Sequence, residues 1–525
     1  MDTKALRQKI LDLAIRGKLV PQDPNDEPAE VLLERIREQK QQMLKEGKLK
    51  KKDIKNDTII FKGEDNLHYE KFQDGTIKCI EDEIPFEVPE GWAWCKLNDI
   101  YNFIDYRGAT PTKITNGIPL VTAKNVKSGY IDYTIDDYIS EEEFKERQQR
   151  GISKKGDILF TTEAPLGNAA LADMEKFSAG QRLITFQQYG SKNELINYVM
   201  LMFILSDFFQ QQLYVNKTGS TVAGIKAAIL KTLWIPVPPY NEQLRISNTL
   251  KSAINLIDSI SKNKEILSTS ISNTKSKILD LAIRGKLVPQ DPNDEPASVL
   301  LERISAEKEE LIKQGKIKRD KKESVIFKGD DNSYYLRTGR VEESLEDWRF
   351  DDLPETWKIC CLGELCDYGD CINVNTEDIA EDAWILDLED IEKDTGTVLK
   401  KVTKDQRNSV STKHKFHSGQ VLYSKLRPYL NKVVLSDADG YCTSEILPLE
   451  FKNCVLPEYA RYYLMSGTFI AYANHCSYGV KMPRLGTTDG KKAIFSLPPL
   501  SEQKRIVETI DFCFVQLNKI SEALA

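Results

Sequence analysis

The side chains best placed to do chemistry in this sequence are cations and hydroxyls set on turns. The chemistry they suit is hydrogen bonding to an outside partner, not bond making. In residues 84–239 the run Tyr106-Arg107-Gly108-Ala109-Thr110-Pro111-Thr112-Lys113 puts guanidinium, hydroxyl and ammonium groups on one turn. Lys124 and Asn125 follow a strand-like run, Arg182 follows Gly180-Gln181, and Lys217-Thr218-Gly219-Ser220-Thr221 is a loop rich in donors. In residues 345–498 the turn Tyr423-Ser424-Lys425-Leu426-Arg427-Pro428-Tyr429 carries two cations between aromatics, and Lys481-Met482-Pro483-Arg484 occupies the place of the earlier loop. Arg and Lys match guanine O6 and N7, and Asn matches adenine N6 and N7. Hydroxyls and ammoniums fix register on phosphates. The candidate DNA contacts are therefore Arg107, Thr110, Lys113, Lys124, Asn125, Arg182, Lys217, Ser220, Thr221, Lys425, Arg427, Tyr429, Lys481 and Arg484.

Signals for catalysis are missing. No GxxxxGK[ST] phosphate loop, HExxH pair or GxSxG elbow occurs. His414 and His417 lack a second ligand pair, and the spacing of Cys361, Cys366 and Cys371 fits no usual zinc site. Val237-Pro238-Pro239-Tyr240 resembles the Asn/Asp-Pro-Pro-Tyr loop of adenine methyltransferases but lacks the polar first residue. Leu497-Pro498-Pro499-Leu500 lacks the aromatic as well. These prolines are read as ending a strand before a helix, with Asn241 or Ser501 as N-cap and Glu242 or Glu502 in the first turn. No catalytic residue and no metal ligand is assigned.

The elements that must hold the turns in place are repeated. Residues 10–29, ILDLAIRGKLVPQDPNDEPA, recur letter for letter at 278–297. Further matches are Phe61-Lys62-Gly63 with Phe327-Lys328-Gly329, and Pro89-Glu90-Gly91-Trp92 with Pro354-Glu355-Thr356-Trp357. The ends of the two blocks match too, at Pro238-Pro239-Tyr240-Asn241-Glu242-Gln243 and Pro498-Pro499-Leu500-Ser501-Glu502-Gln503. Each half of the chain thus brackets a variable block with a constant frame.

The frame reads as a long helix. Residues 241–283 contain neither Pro nor Gly, and Ile246, Leu250, Ile257, Leu267 and Ile278 fall on one seam of 3.5-residue period. At 1.5 Å per residue this helix reaches roughly 65 Å, with Gly285 as its C-cap. Aligning Gln503 with Gln243 puts Ile506, Ile510 and Leu517 on the same seam, and Ile10 aligns with Ile278. The second copy of the helix is therefore split between the two chain ends.

The expected fold class is α+β: two globular α/β recognition domains separated by a pair of long antiparallel helices, a pseudo-twofold, circularly permuted repeat. The expected parts are an N-terminal helical frame and irregular connector (1–83), a first variable domain (84–239), a central helix and connector (240–344), a second variable domain (345–498) and a C-terminal helix (499–525). Helical stretches are expected at 195–213 and 459–472.

Bulk properties agree. The 525 residues are 41% hydrophobic and 29% charged, as in ordinary globular proteins. No apolar run is long enough to span a membrane, and the first residues carry no apolar export segment. The ten cysteines follow no framework spacing, which predicts reduced thiols in the cytoplasm. A net charge of −7 implies that a partner supplies part of any cationic grip on nucleic acid.

Frames, variable blocks and split helix together resemble the specificity subunit of a Type I restriction-modification system. The most specific elements are the PPYNEQ and PPLSEQ helix starts, the doubled AIRGKLVPQDP, the loop from Lys217 to Ala223 and the YSKLRPYL turn. The resemblance implies a subunit without catalysis of its own. It implies two target recognition domains, each reading one half of a split, asymmetric site in double-stranded DNA. It implies docking of two methyltransferase subunits and two restriction subunits. S-adenosylmethionine, ATP and Mg would belong to those partners, and no cofactor to this chain. Two rival readings are a self-contained DNA methyltransferase or nuclease, and a coiled-coil scaffold with no DNA role.

Overall fold

A computed structural model describes residues 2–524 apart from 55–56, 108–109, 135, 191–193, 220–222, 317–323, 332, 346–351 and 408–410. The chain divides into two compact units, Met1–Asn263 and Lys264–Ala525. The central helix, Tyr240–Ala282, begins in the first and ends in the second.

In the first unit, Thr3–Ile15 is a helix capped by the Asp2 carboxylate. It runs antiparallel to the start of the central helix, since Arg7 pairs with Asp258 while Gln22 reaches back to Glu242. Leu11, Ala14 and Ile15 are buried in one core with Ile246 and Leu250, and Ile10 packs against it. In the second unit the helix Leu500–Leu524 runs antiparallel to the end of the central helix, with Lys275 Nζ 2.6 Å from Asn518 Oδ1 and Gln290 on Glu502. Ile506 and Ile510 share a core with Leu279, Ala282 and Ile283, and Ile278 lies against it. Each terminal helix is thus part of its unit's core as well as a partner of the central helix.

The seam is corrected at one position. Leu267 is 40% exposed, whereas Ile257 and Ile271 are buried. Antiparallel pairing carries the first helix, which starts at Thr3, to about residue 262. It carries the last helix, ending at Leu524, to about residue 269. Leu267 lies beyond the reach of both. Leu517, near the chain end, is half-buried.

The identical segment spells a set of contacts made twice. Gly17 (φ +65°) and Gly285 (φ +65°) end their helices left-handed, with Lys18 N donating to Leu13 O (2.8 Å) and Lys286 N to Leu281 O (2.9 Å). A Cβ at either glycine would come within 2.4 Å of Pro89 or Pro354. Asp26 holds Arg245, and Asp294 holds Arg505, each at 2.6 Å. Trp92 Nε1 donates to Glu242 (2.8 Å) and Trp357 Nε1 to Glu502 (2.9 Å). Gln243 accepts from Ile196 N and donates to Pro238 O; Gln503 accepts from Leu456 N and donates to Pro498 O. The expected N-caps are therefore corrected. The central helix already starts at Tyr240 and the last at Leu500, and Glu242 and Glu502 are buried acceptors for an indole N–H.

Three elements differ from the sequence reading. The connector is not irregular, because Ile59–Lys62, His68–Lys71 and Ile77–Cys79 form an antiparallel sheet, repeated by Ser324–Lys328, Tyr334–Thr338 and Val341–Ser344. Its hairpin signal, Asp74-Gly75, stands in the sequence. The helix expected at 195–213 is two helices, Asn197–Ile204 and Asp207–Val215, the second restarted by the Ser206 hydroxyl cap. The helix expected at 459–472 divides likewise into Pro457–Leu464 and Gly467–His475 at Ser466.

The variable blocks share a sheet pattern. Strands Tyr101–Asp105, Leu183–Gln188, Ile158–Thr161 and Ala169–Leu171 lie side by side in that order in the first. In the second, Ile446–Leu449, Val421–Ser424 and Val433–Leu435 are adjacent in the corresponding order. A smaller sheet, Ile118–Val121 with its neighbours, completes the first block, and a five-stranded sheet the second. Among the described residues no helix is long and apolar enough to cross a membrane.

Candidate nucleic-acid interface

In the second unit, strand Val421–Ser424 runs into a turn at Lys425, where the backbone turns left-handed at Arg427 (φ +51°) before Pro428. Lys425 N donates to Glu445 O (3.0 Å), Leu485 N to Lys425 O (3.0 Å) and Arg427 N to Pro483 O (2.7 Å). The turn is thereby stitched to a second loop, closed at its base by Tyr478 N to Arg484 O (3.1 Å) and the reciprocal bond (3.0 Å). Arg484 fixes both loops. Its Nε lies 3.0 and 3.1 Å from the two Glu445 oxygens, its Nη2 2.9 Å from one, and its Nη1 donates to Met482 O. The carboxylate holds its guanidinium pKa above the ordinary value.

Three cations remain for an outside anion. Lys425 is half-buried and makes no ion pair among the described residues. Arg427 is half-buried, and its Nε is buried without an acceptor there. Lys481 is exposed, and Tyr429 is 50% exposed.

The first unit builds the same backbone device. Thr162 N donates to Arg182 O (3.1 Å), Ile225 N to Thr162 O (3.0 Å), and the loop closes through reciprocal bonds between Thr218 and Gly224 (2.7 and 3.0 Å). Ala164 takes the left-handed place (φ +46°) before Pro165. Arg182 pairs with Glu163 at 3.1 Å, and Lys217 Nζ sits 3.5 Å from the centre of the Tyr214 ring. Thr110 donates to Gln181 (2.7 Å). Ser220 and Thr221 lie outside the described residues.

Two sequence candidates in this unit already have partners inside the fold. Asn125 is buried, and its Oδ1 accepts from Thr122 N and Oγ1 while its Nδ2 donates to Asp132 O. It closes its own turn, as Asn commonly does. Arg107 is clamped on Asp105, with Nε 2.9 and 3.1 Å from the two oxygens and Nη2 at 2.7 Å, and donates to Ile225 O. It braces the loop, and the bond to Asp105 raises its pKa. Lys113 is bound to Asp137 at 2.7 Å, and Lys124 is exposed. Hence the structure gathers Arg107, Thr110, Arg182 and Lys217 around one loop, with Lys113, Lys124 and Asn125 in the segments flanking strand Ile118–Val121.

What the sequence reading overlooked is the set of acceptors, Asp105, Glu163 and Glu445, because donors alone were sought. The histidines diverge. His414 Nδ1 meets Ile446 O (2.8 Å) and burial lowers its pKa; His417 faces Ser418 O and Glu450, which raise it. Cys361 and Cys366 are buried and Cys371 is half-buried.

Known proteins resemble this chain in sequence and fold. The model of the Type I restriction modification DNA specificity domain matches residues 89–268 and again 354–523. The EcoAI specificity subunit of Escherichia coli is 28% identical over 98% of this chain and 90% of its own length. The EcoEI specificity subunit of the same species is 27% identical over 99% and 90%. A solved chain from work on assembly and conformational transition of the type I R-M system has the same fold, with a TM-score of 0.52 at 16% identity over 84% of this chain and 94% of that one. Matched twice by that domain over more than half its length, the chain belongs to the Type I restriction-modification DNA specificity family.

Proposed function

We propose that this chain is the DNA specificity subunit of a Type I restriction-modification complex, and that its two variable domains, 84–239 and 345–498, each read one half of a split DNA target. The observation that carries this reading is the paired loop-and-turn device: one backbone scheme, built twice, presenting different side chains. Two unlike readers specify an asymmetric site, and a helical spacer converts half-site separation into geometry. Lys425, Arg427, Lys481, Lys217 and Lys124 serve as contacts to phosphates or bases; Arg484, Arg182 and Arg107 position the loops. The chain carries no catalysis. Methyltransferase and restriction subunits, two of each, dock on it in the cytoplasm and bring S-adenosylmethionine, ATP and Mg. Adenine methylation by such a partner requires the base to leave the stack.

The test is exchange of residues 84–239 for the corresponding block of another family member, followed by mapping of methylated adenines in cells. One half of the recognised sequence should change and the other persist. Change in both halves, or in neither, would refute the assignment. A chain purified alone that transferred methyl groups would favour the rival enzyme reading.

A further inference from the structure

The loop at 479–483 of the second unit is unusual in what it offers to solvent. Tyr478 is 62% exposed, Val480 103% and Met482 45%. Single exposed apolar residues are ordinary on a protein surface, but three at alternate positions of one loop form a patch. The patch is held in place. Tyr478 and Arg484 exchange backbone hydrogen bonds, Arg427 N ties down Pro483 O, and the Arg484 guanidinium bridges Glu445 and the Met482 carbonyl. Chain order places Lys481 between Val480 and Met482, and the bonds just described bring the Lys425–Arg427 turn to the loop's base.

An apolar loop that carries Lys481 and is anchored to the Lys425–Arg427 turn fits a polyanion that also displays an apolar group. On the major-groove edge of duplex DNA that group is the thymine 5-methyl. The corresponding loop of the first unit reads Gly219-Ser220-Thr221-Val222-Ala223, with hydroxyls where the second has Val480 and Lys481. We infer that Val480 and Met482 select a thymine in the half-site read by the second domain, through contact with its 5-methyl group. This rests on the DNA-reading function proposed above and deepens it to a base and an atom.

The experiment uses the full chain assembled with its methyltransferase partner and a duplex carrying the mapped target. Each thymine of the half-site assigned to residues 345–498 by block exchange is replaced in turn by deoxyuridine, which lacks only the methyl. At one position affinity should fall about three- to five-fold, the worth of one buried methyl. The V480S/M482S double variant should bind thymine and uracil duplexes equally at that position, while keeping full sensitivity to substitutions in the other half-site. Both residues are exposed, so folding is not at stake. A half-site without thymine on either strand would overturn the inference. So would no deoxyuridine effect in the unsubstituted complex, or an effect that survives in the double variant. Each of these leaves the broader function standing if the complex still binds its target; failure to bind the mapped target at all refutes that function instead.

Discussion

The two units keep their backbone and exchange their charges. Arg182 and Glu445 occupy equivalent places, each giving its carbonyl to the turn that follows the central strand. The sign at that place is reversed, and the neutralising partner moves with it. Arg182 turns to Glu163, whereas Glu445 turns to Arg484, where the first unit has Gly224. The same exchange occurs one layer away. Asp157 accepts from Gln187 Nε2 (2.8 Å) in the first unit; Gln420 donates to Glu450 (2.9 Å) in the second. Main-chain bonding sets the shape, and side chains vary as compensated pairs on top of it. A reading surface can thus change its chemistry without refolding.

This comparison can be broken most severely at the frame. If the frame is one device made twice, E242A and E502A should cost the same, about 2–3 kcal/mol each, by leaving a buried indole N–H and a glutamine amide unanswered. Urea denaturation checks this, and unequal losses would show that the frames are not equivalent.

Next in size is a pH term confined to the first unit. Burial pushes the Asp157 carboxyl up to about 6. Because the folded value lies above the unfolded one, near 3.9, the protonated form favours the folded state. That stability is fully present below about pH 3.9 and is lost as pH rises through about 6, on the order of 2 kcal/mol. D157N keeps an oxygen for Lys154 N and Gln187 and should reduce this slope by the Asp157 share, leaving that of Asp99, whose carboxyl burial also pushes up to about 6. Comparing urea midpoints at pH 5 and pH 8 for both proteins gives the answer; an unchanged slope would mean that Asp157 titrates as an ordinary carboxylate.

A smaller difference separates cations that face outward from those already satisfied. K425A should weaken DNA binding by the assembled complex several-fold and lower the salt-dependence slope by about one. R107A should leave that slope alone and instead lower the melting temperature, because it removes the guanidinium that pairs with Asp105. Titration at several salt concentrations distinguishes them.

The smallest effect is expected at Leu267. L267S should change stability by less than about 0.5 kcal/mol, whereas I271S, at a buried site of the same helix, should cost about 2 kcal/mol or more. Thermal melts of the two variants test whether the terminal helices stop short of this turn.

The repeat was legible because its residues are the contacts. Gly17, Gln22 and Asp26 recur as Gly285, Gln290 and Asp294 since each meets the same partner in each unit. The long central and C-terminal helices were legible from apolar spacing. The candidate site was legible only as a set of donors. Nothing in a linear reading separates an arginine aimed at solvent from one folded back on an aspartate two residues earlier, as Arg107 is on Asp105. The same holds for Asn125, which closes its turn with groups three and seven residues away. Periodicity also overran the breaks at Ser206 and Ser466, where a hydroxyl restarts a helix along an unbroken apolar run.

The clasp of Trp92 on Glu242, matched by Trp357 on Glu502, makes each variable block a cassette with standard plugs. Any insert that enters with that tryptophan and leaves through Pro-Pro meets the same socket, whichever half of the gene encodes it. A chain given the first insert in both sockets should therefore recognise one word spoken twice, turning an asymmetric target into a repeated one without a single change to the residues that hold the inserts.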